Sequence, residues 1–328
     1  MDVTANNFLP KARLAVRDPQ LQAAVAFSTT NSADARQRAM FVAGREHGEA
    51  MRQQAAAVKR RALRRLPELL EQAEANLQAN GVEVLWAEDG PEACRLVLDI
   101  ARRHGARRIV KSKSMLTEEI ALNQALQAEG IEVAETDLGE YIVQVAQEPP
   151  SHIVGPALHL STAAIRDLFV RELGMAPTDD AEEMTRFVRE RLRRAFLEAD
   201  LGISGGNFLI AETGTLCLAT NEGNGRMVTT LPPVLVAVVG IEKIVETFED
   251  YATLAQILPR SSTGQVMTVY THLINGPRRA DEADGPDHVY VILVDNGRSA
   301  IYATDYAEAL ACLRCGACLN ACPVYQAI

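Results

Sequence analysis

Residues 82–137, VEVLWAEDGPEACRLVLDIARRHGARRIVKSKSMLTEEIALNQALQAEGIEVAETD, alternate short apolar runs with amphipathic ones, and that alternation decides the fold class. VEVLWA, ARRIVKS and IEVAETD have the length and β-branched content of buried strands. PEACRLVLDIARRHG and MLTEEIALNQALQAEG place their apolar residues at helical spacing, with Pro91 in a first turn and Gly105 and Gly130 where helix C-caps belong. A strand, helix, strand, helix, strand order predicts parallel pairing, because each crossover helix returns the chain in the same direction and covers a face of the sheet. The fold class predicted is α/β.

Upstream, Ser32 to Asn80 is rich in Ala, Arg, Gln, Glu and Leu and predicts one long or two shorter helices. Its basic stretch VKRRALRR, residues 58–65, reads as a solvated helix face. Downstream, PALHLSTAAIRDLFVRELG and DDAEEMTRFVRERLRRAFLEADLG predict two more helices. The runs NFLIAETGTLCLATN, VLVAVVG, VMTVYTHLI and HVYVILVDNG then predict strands completing one mixed sheet.

Composition bounds what such a fold can do. With 48% hydrophobic and 23% charged residues, the 328-residue chain matches a soluble globular protein able to bury a sizeable core. A net charge of -10 argues against a general nucleic-acid binder. The start, MDVTANNFLPKARLAV, does not read as a secretory signal, and the apolar run Val234 to Val239 is far short of the roughly 20 residues a membrane span needs. A cytoplasmic protein without a membrane span is expected.

Four of the six cysteines, Cys312, Cys315, Cys318 and Cys322, precede Pro323 in the pattern CxxCxxCxxxCP. Three thiolates at this spacing can wrap one iron-sulfur cubane, while the fourth of such a run ligates a different cluster in two-cluster ferredoxins. A zinc-stapled docking module is the alternative, although structural zinc usually pairs two CxxC units across a longer loop. Cys94 and Cys217, alone in apolar surroundings, read as packing residues.

Two further regions carry candidate ligand-binding residues. In VKSKSMLTEEI a strand ends in Lys111, Ser112 and Lys113 just before a helix, a place suited to an anion. Gly205 and Gly206 in GISGGNF, and Asn221 in TNEGNGR, lie in glycine-rich loops that a ligand can approach closely, and Glu212 and Glu222 are weak candidates for a catalytic carboxylate. Tight turns explain these glycines equally well. His152 and His159 read as structural histidines.

The stretches KSKSMLTEEI, ETDLGEYIVQ, PPSHIVGPALH, AETGTLCLATNEGNGR, GIEKIVETFED, DNGR and CLRCGACLNACPVY, in this order, closely resemble the lactate utilisation B family, the iron-sulfur proteins of a bacterial three-protein lactate oxidation system. The resemblance implies a three-layer α/β/α sandwich like those of glucosamine-phosphate deaminase, ribose-phosphate isomerase and coenzyme A transferases. It divides the chain into an N-terminal helical extension (1–80), an α/β lactate-utilisation-type domain (81–308) and the start of a ferredoxin-like iron-sulfur region (309–328). It implies two [4Fe-4S] clusters, with Cys312, Cys315 and Cys318 on the first and Cys322 on the second. The second cysteine run expected farther on is absent, so the sequence is expected to be truncated, with its clusters incomplete. The function implied is electron transfer during oxidation of L-lactate to pyruvate, as a redox subunit partnered by a second cysteine-rich protein and a smaller α/β protein. The alternative is an α/β domain that itself binds a small anion or a coenzyme A thioester as enzyme or sensor.

Overall fold

Local signals set the first elements. The computed structural model describes residues 8–327; the first seven residues of the N-terminal stretch read above lie outside the described residues. Helices α1 (Phe8–Ala15), α2 (Pro19–Met40), α3 (Arg45–Arg64) and α4 (Leu66–Ala79) precede β1 (Glu83–Ala87). Asp89 then caps α5 (Gly90–Arg103) by accepting from the Glu92 amide, an interaction typically contributing ~1 kcal/mol. Gly105 and Gly130 adopt φ of 62° and 74°, the left-handed C-cap conformation expected of them. Beyond α5 come β2 (Arg108–Lys111), α6 (Met115–Glu119), α7 (Leu122–Ala128) and β3 (Glu132–Glu135).

The single helix expected over 115–130 is broken at Ala121, which has a φ of 55°. Leu116 and Leu122 both enter the same core. Six residues of unbroken helix would rotate one about 240° from the other and send it to a different face.

Next follow α8 (Leu138–Ala146), α9 (Thr162–Leu173), α10 (Ala181–Glu198), β4 (Leu201–Ser204), β5 (Phe208–Ile210) and β6 (Thr215–Thr220). The chain continues through α11 (Asn224–Thr230), β7 (Val234–Gly240), β8 (Ile244–Val245), α12 (Phe248–Ser262), β9 (Tyr270–Ile274), β10 (His288–Val294), α13 (Arg298–Tyr302) and α14 (Ala317–Ala321). Three N-terminal helices longer than one turn or two thus stand where one or two were expected, the first of them starting at Pro19.

The central sheet has the order β1-β10-β7-β4-β2-β3, with every pair parallel. Strand β7 shows why its sequence is continuously apolar: Val234, Val236 and Val238 face the core built with α5, α6 and α7, while Leu235, Ala237 and Val239 face the core built with α4. Helices α8, α9 and α10 pack around Val110 and Ala134. The result is a mixed α/β architecture whose parallel sheet is flanked by helices.

The downstream strands do not complete one sheet. β4, β7 and β10 join the parallel sheet, whereas β5, β6, β8 and β9 form a separate sheet of order β8-β5-β6-β9. The hairpin of β5 and β6 turns at Gly214, φ 63°, packed so closely on α4 that a Cβ there would lie 2.5 Å from the Leu77 nitrogen.

β2 pairs with β3 on one side and β4 on the other, so the chain reverses its progression across the sheet at this point. In open α/β sheets such a reversal leaves a crevice beyond the carboxyl ends of the strands.

Candidate functional site

A cavity of about 630 Å³ occupies that crevice. Ser112 and Lys113 reach it from the end of β2, Gly205 and Gly206 from the end of β4, and Asn221 and Glu222 from the loop after β6. These six residues, scattered over 110 positions of sequence, were each singled out above, and the fold gathers them. Cys315 lines the same cavity, together with Leu313 and Arg314. The cysteine loop is therefore part of the wall of the strand-end site.

Two candidates fall elsewhere. Lys111 is fully buried and donates to Glu135 Oε1 at 2.6 Å, and the same oxygen accepts from Asn123 at 2.7 Å. Lys111 and Glu135 are register partners on β2 and β3, so the ammonium is committed to an interior ion pair and turned away from any ligand. Glu212 is exposed and accepts from the Phe248 amide at the start of α12. At the turn after β2, α6 is only five residues long and Ser114 Oγ accepts from the Thr117 amide.

Charged residues that carried no individual role in the sequence reading complete the site. Arg298 and Glu242, both buried, pair at 2.6 Å. Arg298 also grips Glu119 through two nitrogens at 3.0 and 3.1 Å, and Arg314 reaches Glu119 Oε2 at 3.3 Å. Burial works to raise the Glu119 and Glu242 carboxyls, but their cationic neighbours override it and hold both below the usual range. Gly240 makes room for this network, since a Cβ there would lie 2.1 Å from Glu242 Oε2. The available signal was GIEK, a Glu and a Lys directly after a seven-residue apolar strand, where no charge belongs without a partner.

The basic stretch of α3 divides. Arg60, Arg61 and Arg65 form surface pairs with Glu308, Asp250 and Glu246. Lys59 departs from the solvated-face expectation: it is buried and donates to the carbonyls of Glu242 at 2.6 Å and Ile244 at 3.4 Å. Burial lowers its pKa to about 8.

The cysteine loop turns through Arg314 and Gly316, with φ of 58° and 76°. The Arg314 amide donates to Cys312 Sγ at 3.4 Å. Cys315 packs against the apolar core around α12 and the second sheet, and burial raises its thiol. His152, buried, lies against this loop: a Cβ on Gly316 would be 3.0 Å from its Cε1. Its Nδ1 accepts from the amides of Val154 and Gly155, at 3.1 and 3.2 Å, so the ring proton of the neutral form sits on Nε2. Nε2 makes no hydrogen bond of regular geometry among the described residues, although Asn320 and the Gly316 backbone lie close enough to favour the charged ring against burial. His159 is satisfied by Ser151 Oγ and Glu148, at 2.8 and 2.9 Å. The tail is anchored by the Tyr325 hydroxyl, which donates to the Ser151 carbonyl at 2.8 Å.

Among the described residues no three His, Cys, Asp or Glu side chains gather tightly enough to hold one metal ion. The donor set nevertheless suits a larger iron-sulfur cluster: thiols at CxxCxxC spacing, a backbone amide on one sulfur, and an orphaned buried N–H facing the loop. Cys94 and Cys217 are buried, and burial raises both thiols, that of Cys217 to about 12. No described helix is long and apolar enough to cross a membrane.

A parallel α/β sheet with a strand-end cavity, one wall of which is a cysteine-rich loop, defines the class. The chain belongs to the LUD domain family, whose profile matches residues 70–294. It is 43% identical over 330 residues to the "Uncharacterized electron transport protein YkgF" of Escherichia coli K12, covering 100% of this chain and 69% of that protein. It is 46% identical over 279 residues to lactate utilization protein B of Bacillus licheniformis, covering 85% of this chain and 58% of that protein. With lactate utilization protein B of Bacillus cytotoxicus it shares 41% identity over 331 residues, 99% of this chain and 68% of that one. The chain thus spans 58% to 69% of the length of these relatives. A DUF162 family protein from Deinococcus radiodurans is a solved neighbour, with a TM-score of 0.38 and 18% identity, covering 70% of this chain and 98% of that one.

Proposed function

We propose that this chain is the iron-sulfur electron-transfer subunit of a cytoplasmic system that oxidises L-lactate to pyruvate, acting with a second cysteine-rich protein and a smaller α/β protein. The names of its relatives, an electron transport protein and lactate utilization protein B, support the two halves of this reading. The observation that carries it is the position of the cysteine loop, which supplies Leu313, Arg314 and Cys315 to the wall of the strand-end cavity.

Cys312, Cys315 and Cys318 would hold a first [4Fe-4S] cluster and Cys322 would contribute to a second; a bound cluster supplies one-electron redox chemistry. The chain's own residues set the surroundings. The Arg314 amide neutralises part of the charge on Cys312 Sγ, and the Nε2 proton of His152 offers a second donor towards the loop. Lys59 brings a buried cation that no carboxylate within ion-pair distance matches among the described residues. The apolar core around Cys315 leaves that residue half-buried at the cavity wall.

The test replaces Cys315 with Ser in the complete protein and measures lactate-dependent reduction of an artificial acceptor by the assembled three-protein system. Loss of turnover with normal expression and folding is expected. Unchanged turnover overturns the proposal.

A further inference from the structure

We infer that the strand-end cavity is a binding site for a small organic monocarboxylate, held through the ammonium groups of Lys243 and Lys113 beside the cysteine loop. The inference deepens the reading above by placing a carbon substrate within this chain, and it rests on that reading only for the choice of probes.

Charge counting gives the sign of the ligand. Along one wall, Lys243, Arg298 and Arg314, with Lys59 buried behind them, are four cations, and Glu242 and Glu119 are the two carboxylates beside them. Glu242 gives Oε2 to Arg298 at 2.6 Å, leaving Oε1 for Lys243 at a loose 3.6 Å. The Lys243 ammonium has no hydrogen-bond partner among the described residues, although its side chain is only 14% exposed. A cation held largely out of water with its donors unused is costly, and an anion in the cavity relieves that cost.

Geometry brings a second cation to the same place. Lys113 leaves the end of β2 and Lys243 follows the end of β7, two strands away, or about 10 Å at ordinary strand spacing. Between them lies the end of β4, which carries Gly205 and Gly206, so no side chain from that strand stands between the two lysines. Lys113 Nζ spends one proton on the Val154 carbonyl at 3.0 Å and lies 3.5 Å from Asp137 Oδ2, with a donor to spare.

The ligand class follows from what surrounds the two ammonium groups, whose unused donors suit one anionic group. Leu138, Ile142 and Leu218 offer apolar surface to the carbon part of an organic acid.

The test uses the whole chain without iron and the probes L-lactate, pyruvate and inorganic phosphate, followed by saturation-transfer NMR and calorimetry. At least one carboxylate is expected to bind, with phosphate at least tenfold weaker. Lys243→Met and Lys113→Met, each checked for native circular dichroism, should weaken that binding at least tenfold, while Lys11→Met on α1 should not change it. If Lys243→Met fails to fold, wild-type binding and Lys113→Met decide. Absence of carboxylate binding to the wild type, phosphate binding as tightly, or lysine variants that bind normally overturns the inference. Because the measurement needs no cluster, an iron-free protein that binds lactate leaves this inference standing while removing the electron-transfer reading, and the converse result does the opposite.

Discussion

Arg314, the second residue between Cys312 and Cys315, reaches Glu119 Oε2 at 3.3 Å, and the same carboxylate is gripped by Arg298 from the end of β10. The cysteine loop is thereby tied by charge to the C-terminal ends of the central strands.

Arg298→Met should expose the strength of this tie. Removing Arg298 leaves buried Glu242 with only the looser Lys243 contact, and breaking such a buried pair typically costs about 3–5 kcal/mol. Urea unfolding should show a lower midpoint with an unchanged slope; a loss below about 1 kcal/mol would mean that Glu242 finds another partner. Arg314→Ala, whose side chain is 36% exposed, should cost no more than about 1 kcal/mol.

Gly240→Ala tests the same network sterically. The added Cβ would meet Glu242 Oε2 at 2.1 Å and Arg298 Nε at 2.9 Å, so the pair must move into the cavity. A destabilisation of about 1–3 kcal/mol is expected from unfolding curves, together with weaker carboxylate binding. Wild-type stability and binding would show that the pair is free to shift.

Glu140 makes stability depend on pH. Burial, followed by the charges of Glu118 and Glu135, raises its pKa from 4.5 to about 8. The native state therefore holds a proton that the unfolded chain releases between these values, so this group makes stability fall as pH rises from about 4.5 to about 8, at ~1.4 kcal/mol per unit at most. Glu140→Gln should flatten that slope and gain stability relative to the wild type above pH 8. Parallel pH profiles for the two proteins would contradict the assignment.

His152→Phe removes the N–H that faces the cysteine loop while retaining a buried aromatic ring. In cluster-bearing protein the reduction potential should fall, on the order of tens of millivolts, because a donor to the cluster environment favours the reduced, more negative form. Redox titration followed by spin resonance reads this directly. An unchanged potential would assign His152 to packing alone.

Much of this arrangement was legible in the sequence where a single local rule governs it. The alternation over 82–137, the capping glycines Gly105 and Gly130 and the unbroken apolar strand β7 each report their own surroundings. Ser112, Lys113, Gly205, Gly206, Asn221 and Glu222 could be named one by one because loops at strand ends have recognisable compositions. Lys111 could not be separated from Lys113 in the same way. Its burial depends on Glu135 standing opposite it, a fact of β2 and β3 register and not of either segment alone. The Arg298, Glu242 and Glu119 network was hidden for the same reason: its members come from three distant segments, and each read alone is an ordinary surface charge. The second sheet escaped because its strands β5, β6, β8 and β9 pair with one another across distant segments, which no single segment reports.

Iron and acid-labile sulfide analysis of the complete protein, purified without oxygen and accompanied by its visible absorption and spin-resonance spectra, tests the central claim most directly. The account predicts iron and sulfide in equal amounts, with both lost in Cys315→Ser. A colourless protein that is free of iron, or one that holds zinc alone, would contradict it.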